Sequence, residues 1–294
     1  MKKLISIITL ALVLVSAAGC STTDAVANIS DKDTALVTIG DEEITKGDVY
    51  NYMNNQDLSS MVIEDCDSVI YDKYVTLSQD KLDEIDEQID ETIVQYGGED
   101  TFVSTLQAYG FADLDDYRNN LINSAKADEL TVMYVTNNLD TYTTKYQPKM
   151  IQYMEFDNID DANNAQDLLA NGASFSDVAT EIVYTDPIEP VIATIYSTDI
   201  ASTIIQTIAE VNETGLLSTV ITDDTNSLYY VVNVTDVDVA NFQDSFVSFL
   251  TTQSDIAKEA KISYYDEMGF AIYDINLYNS FLSSNADYLV QDAE

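Results

Sequence analysis

The sequence predicts an α+β fold: a small α/β unit with long helical segments on both sides. Three observations carry this expectation. Between Ser78 and Asn138 the apolar residues recur at helical spacing and are interrupted by glycines. Between Met150 and Val234 short apolar runs of strand length alternate with two short amphipathic stretches, and helical spacing returns after Val237. With 46% apolar residues in 294, the chain can bury a real core in one large or two modest domains.

Charge narrows the function classes. There are 52 acidic and 12 basic residues, a formal −40, and Arg118 is the single arginine. Such a surface repels nucleic-acid phosphates and anionic headgroups, so no nucleic-acid partner is expected; basic client chains, or cations held near a cell wall, are what it would attract. Histidine and tryptophan are absent. Without histidine most transition-metal sites, the Ser-His-Asp and Cys-His nucleophile arrangements and the ordinary general base all fall away, and no metal or cofactor is expected. Asp160-Asp161 and Asp223-Asp224 lack the alternating oxygen ligands and central glycine of a calcium loop and read as a helix start and a turn.

Met1-Lys2-Lys3, the apolar Leu4–Val15 and Ser16-Ala17-Ala18-Gly19-Cys20 form the three parts of a secretory signal, residues 1–20. The apolar part is too short for a membrane span. Gly19-Cys20 resembles a lipobox, although Ala17 stands where leucine is commonest; a lipid on Cys20 would hold the protein at the outer face of the cell membrane. Cys66 is then the one cysteine of the mature chain, expected as a buried inert thiol. Residues 21–34 are small and polar, a flexible tether.

Residues 35–49 read as a strand, a tight turn at Gly40-Asp41 and a helix entered from Thr45. Leu82, Ile85, Ile89 and Ile93 define the next helix, stopped by Gly97-Gly98; Phe102, Val103 and Leu106 a short one, ended by Gly110; and Leu114 through Val135 a long one reaching about Asn138. Thr141–Gln147 is a polar connector. Met150–Phe156 is a strand, Asp160 opens a helix ended by Gly172, and Ser174-Phe175-Ser176-Asp177 starts a second helix in the manner of a capping box. Thr219–Thr222 and Leu228–Val234 should pair as a hairpin across Asp223-Asp224-Thr225-Asn226. Phe242, Phe246, Phe249, Leu250, Ile256 and Ala260 form a helix to Met268-Gly269, Phe270–Ile275 a strand, and the tail from Ser283 is frayed.

Ala170–Ala179, Gly215-Leu216-Leu217-Ser218 and Tyr229–Val234 resemble, in order, three segments of the parvulin-type peptidyl-prolyl isomerases. Residues 35–49 resemble the opening of SurA-like domains, and with the lipobox the whole chain resembles the PrsA-type foldase lipoproteins. The resemblance implies a SurA-like chaperone domain at 35–146, a parvulin-like domain at 147–238, and a C-terminal helix and strand at 239–282 returning to the first, so that Phe270–Ile275 would pack near Leu36–Ile39. It implies unfolded or partly folded secreted polypeptides as partners, and leaves the oligomeric state open, a dimer included. The two histidine positions of the parvulin site fall on Tyr153 and Tyr230, the central acid on Asp186, and the proline pocket on Ile204 and Ile208. The family's glycine-rich loop falls on Pro187–Ile195, which holds no glycine. The implied function is an extracytoplasmic chaperone or foldase. Two alternatives stand beside it: an active isomerase with tyrosines in place of histidines, and an acidic lipoprotein that captures a solute or partner.

Overall fold

The computed structural model describes residues 29–291; Cys20, the signal segment and most of the tether lie outside them. The fold is α+β. It opens with a hairpin, β1 (Ala35–Ile39) and β2 (Glu42–Thr45), which turns at Gly40 with φ +62°. Thr45 caps α1 (Lys46–Asn54) in a capping box: its hydroxyl accepts from the Asp48 N–H, and the Asp48 carboxylate accepts from the Thr45 N–H. Then come α2 (Ser59–Tyr74), α3 (Gln79–Gln95), α4 (Glu99–Ala108), α5 (Leu114–Asn137) and α6 (Leu139–Tyr146). The sheet region runs β3 (Lys149–Phe156), α7 (Ile159–Ala170), α8 (Phe175–Glu181), β4 (Val191–Ala193), α9 (Ser202–Ile208), β5 (Gly215–Leu216), β6 (Ile221–Asp223) and β7 (Leu228–Asp236). Helices α10 (Gln243–Thr251), α11 (Ser254–Glu267) and α12 (Ile275–Ser284) follow.

The chain divides into two compact units. The smaller comprises, among the described residues, 29–66 and 265–291. Its two segments are tied by short polar bonds. The Asp57 carboxylate accepts from Ser280 Oγ and Ser59 Oγ, both at 2.6 Å, and buried Ser59 Oγ accepts from Asn285 Nδ2 at 2.7 Å. Donation by Ser280, then Ser284 and Ser59, holds the Asp57 carboxyl well below the usual carboxylate range. Tyr265 packs edge-on against Phe270 and Tyr288, and its hydroxyl donates to the Ile63 carbonyl at 2.9 Å.

Several expectations for this unit need correction. Phe270–Ile275 is not a strand; Phe270 to Asp274 is irregular, the Ile272 N–H donates to Gln291 Oε1, and Asp274 caps α12. β1 pairs with β2 alone, and Leu36, Val37 and Ile39 stay more than half exposed, so the expected packing of Phe270–Ile275 on Leu36–Ile39 is not formed. The tail is not frayed from Ser283, because burial of Tyr288 against Tyr265 anchors it. Asp31–Thr34, expected as tether, form a turn whose Lys32 and Thr34 carbonyls accept from the first N–H groups of α1. Cys66 forms no disulfide and is half-buried rather than sealed in a core.

The larger unit is residues 67–264. Helices α3, α4 and α5 pack through the apolar stripes that the spacing predicts, and Ile85, Ile89, Phe102 and Leu106 are buried. Arg118 on α5 donates through both Nε and Nη2 to the Asp86 carboxylate of α3, at 2.5 and 2.9 Å. The sheet order is β4-β3-β7-β5, with β6 also paired to β7, and every pair is antiparallel. Alternation along the strands sends Ile151, Val232 and Val234 to one face with Ile204 and Ile208 of α9. The opposite face carries Met154, Phe156 and Val231 against Ala162, Ala165, Phe175 and Val178 of α7 and α8. Gly172 at φ +95° lets the Gly172 and Ala173 N–H groups reach the Leu169 and Leu168 carbonyls, which ends α7.

A third core joins helices to sheet: Val135 of α5, Tyr142 of α6, and Phe246 and Leu250 of α10, with Met150 and Ile192 packed against them. Thr141–Gln147 is therefore mostly helix, not a connector; its threonines are polar, but Tyr142 and Tyr146 sit one turn apart on the core side. The helix expected from Phe242 to Met268 breaks at Thr252-Gln253 into α10 and α11. β6 begins two residues later than expected, and α2 was not foreseen at all.

Leu250→Ala should cost about 2–5 kcal/mol, the range for removing a fully buried leucine. Tyr142→Phe should instead change stability by no more than about 1 kcal/mol, because it keeps the buried ring and removes only a hydroxyl that makes no well-formed hydrogen bond with the Tyr134 phenol and Glu259 carboxylate beside it. Chemical denaturation of both variants measures the contrast.

Candidate functional site

The parvulin-site positions fall on the face of the sheet covered by α9. In the β3–β7 register Tyr153 stands opposite Val232 and Tyr230 opposite Glu155, so the two tyrosines are diagonal neighbours on one face. Their rings meet edge-on, with centroids 6.5 Å apart and planes at 64°. The cross-strand bond between phenols that a shared replacement of histidines suggests is not formed; the ring contact takes its place.

Electrostatics around the pair come from Glu155 rather than from Asp186. Burial first, then the Glu155 and Asp223 carboxylates, push the Tyr230 phenol up to about 12. Burial, then Glu155 and Asp199, also raise Tyr153. Asp186 is exposed after α8, where its charge acts on the Tyr184 phenol and not on the two tyrosines. Tyr184 Oη accepts from the Glu155 N–H at 3.0 Å, which adds a third phenol beside this carboxylate. Glu155 and Tyr184 were missed in the sequence reading. Glu155 was visible in principle, since it lies two residues beyond Tyr153 and must share its face.

Ile204 and Ile208, the positions matching the proline pocket, are 0% and 3% exposed, and Tyr230 is 2% exposed. They form one continuous core with Val232 and Val234. A proline ring has no surface to enter there. Phenols held neutral can donate a hydrogen bond, Tyr153 from a half-buried position, but they offer no general base. Among the described residues no cluster of three or more cysteine, aspartate or glutamate side chains is arranged to hold a metal ion, and no helix is long and apolar enough to cross a membrane.

Concave space lies elsewhere in the larger unit. A groove of about 690 Å³ runs between α3 and α5, floored by Ile85, Leu121, Ala125 and Val132, with Asp128 and Glu129 on its rim. A cavity of about 430 Å³ lies on the sheet face opposite the tyrosine pair, beside Gln152, Asn233 and the start of α8.

No family model matches the chain. Over 129 residues it is 32% identical to the foldase protein PrsA of Staphylococcus aureus strain Newman, and to the same degree to that of strain JH1. The matched stretch is 44% of this chain and 38% of those proteins, so the chain covers well under half the length of these curated relatives. Among solved structures it is similar to the foldase protein PrsA from Streptococcus pneumoniae, at 16% identity and TM-score 0.42, over 87% of this chain and 100% of that one. It is similar also to the peptidylprolyl isomerase PrsA from Bacillus cereus, at 16% identity and TM-score 0.45, over 86% and 99%. The chain thus resembles the PrsA-type foldases, and the S. aureus sequences carry that likeness.

A folded-state pKa raised above the free value of about 10 means that the neutral Tyr230 phenol is the stabilised form. Its contribution to stability is full below pH 10 and is lost as pH rises from 10 through about 12. Subtracting the ultraviolet titration of Tyr230→Phe from that of the parent should isolate a phenolate signal near pH 12, whereas one near pH 10 would show the ring to be open to water.

Proposed function

We propose that the chain is a chaperone of the foldase kind, which holds unfolded or partly folded secreted polypeptides outside the membrane and is tethered to it through a lipid on Cys20. The observation that carries the reading is the groove between α3 and α5. Its volume of about 690 Å³ suits several side chains, and Leu77, Ile85, Leu121, Ala125 and Val132 give it an apolar part beside the polar Lys81, Asp128 and Glu129. Leu121, Ala125 and Val132 lie on one stripe of α5, so the floor is a continuous surface. Exposed Leu36, Val37 and Ile39 on the hairpin of the smaller unit add a second apolar surface of the kind that marks an interaction site. Similarity to PrsA foldases supports the same assignment.

The acidic surface gives the client a chemical character: apolar segments flanked by lysine and arginine should be preferred, and salt should weaken their capture. Residues 147–238 serve in this reading as a degenerate parvulin-like domain that supports the helical part. Isomerase chemistry is not assigned to Tyr153, Tyr230, Asp186, Ile204 and Ile208, because the isoleucines fill the space that a proline would need.

Suppression of the aggregation of reduced lysozyme, a basic client, tests this directly. The mature chain should suppress aggregation at low ionic strength and do so less at 0.5 M salt, and Leu121→Glu with Val132→Glu should abolish most of the effect at unchanged helical content. Suppression by that double variant equal to the parent's would remove the groove from the mechanism. In a protease-coupled assay of proline isomerisation the parent, Tyr153→Phe and Tyr230→Phe should all match the uncatalysed rate; acceleration lost in those variants would reinstate the tyrosine-based isomerase.

A further inference from the structure

The cavity behind the sheet is of another kind than the groove. Gln152 and Asn233 are a directly opposed pair of the β3–β7 ladder, so their side chains leave the sheet side by side, with Cβ atoms about 5 Å apart. Both point into the cavity of about 430 Å³. Gln152 spends its Nε2 on the Ile188 carbonyl, at 3.0 Å, which leaves its carbonyl oxygen as an acceptor. Among the described residues the half-buried Asn233 amide has no hydrogen-bond partner, so a donor and an acceptor face the space together. Leu169, Phe175, Ile188 and Leu216 supply the apolar remainder of the wall.

Charge is the discriminating feature. In a chain with 52 acidic residues, Glu189 is the single ionisable residue lining this cavity. A small cation would gain little there, and an anion less. Matched neutral donor and acceptor groups beside an apolar wall suit a secondary amide that carries an aliphatic substituent, the repeating chemistry of a polypeptide backbone.

We propose that this cavity is a second, sequence-tolerant polypeptide site, in which Asn233 and the Gln152 carbonyl pair with one peptide unit of an extended segment while an aliphatic side chain seats among Leu169, Phe175 and Ile188. The inference deepens the client-holding reading and rests on it. It assigns backbone recognition to the face of the sheet turned away from Tyr153 and Tyr230, so the sheet has a use that needs no proline and no isomerisation.

The probe is a blocked pentapeptide with leucine central among alanines, added to the full mature chain with its side-chain amides labelled for NMR. The Asn233 amide resonances should shift on titration. A peptide methylated on the leucine nitrogen should bind about tenfold more weakly, the effect of leaving a buried acceptor unpaired. In Gln152→Met, nearly isosteric and lacking the carbonyl acceptor, that discrimination should vanish, whereas Asn233→Leu, which removes the donor to the peptide carbonyl, should weaken both peptides alike; Gln152→Leu serves if the methionine variant does not fold. Equal binding of the methylated and unmethylated peptides, unmoved Asn233 resonances, or preference for tri-N-acetylglucosamine would overturn the proposal. Aggregation suppression measured on the same samples separates the failures. A parent that suppresses aggregation yet leaves Asn233 unmoved sinks only this site, and one that does neither sinks the client-holding reading with it.

Discussion

The larger unit depends on one packing constraint, the core in which Val135, Tyr142, Phe246 and Leu250 meet Met150 and Ile192. Helix α5 enters it from the helical part, α6 turns the chain by ending at Gln147 with φ +47°, and β3 starts two residues later. Both ends of the sheet region are thereby fixed by the same few side chains, since α10 returns to the core just after β7. The groove between α3 and α5 inherits its geometry from this arrangement, because the C-terminal end of α5 is clamped while its middle is left to line open space.

The sheet carries two tyrosines on its α9 face whose placement follows from strand register. Tyr153 and Tyr230 keep the register, the face and the mutual contact of the positions they occupy. Together with Ile204 and Ile208 they fill the centre of that face. The glycine-free Pro187–Ile195 segment contributes β4, whose Val191–Ala193 pair with β3. Packing on this face is that of a closed core.

Much of this was legible beforehand, for local reasons. Caps and stops report on the backbone of their own turn, so Thr45, Ser174, Gly172 and the Asp223–Asn226 turn were readable from residue type alone. Long apolar stripes gave α3 and α5 for the same reason. What escaped was decided at long range. Tyr142 makes α6 part of a core only because α10 arrives from a hundred residues away. Phe270–Ile275 has the composition of a strand but pairs with none; Phe270 to Asp274 is irregular and Asp274 caps α12. The residues of the candidate site divide in the same way: alternation along β3 and β7 placed Tyr153 and Tyr230 on one face, whereas the exposure of Asp186, the burial of Ile204 and Ile208, and the cavity behind Gln152 and Asn233 depend on how the layers stack.

The absence of histidine, the lowered Asp57 carboxyl and the raised Tyr230 phenol together have a consequence for regulation. Few groups on this molecule exchange protons near neutrality, so its charge and its polar ties stay nearly constant across the pH range of ordinary growth media. Acidity is therefore a poor signal for release of whatever the protein holds. Mobile ions are the natural one: a field built from so many fixed carboxylates is modulated by the counterions around it, and the medium would set its grip through salinity.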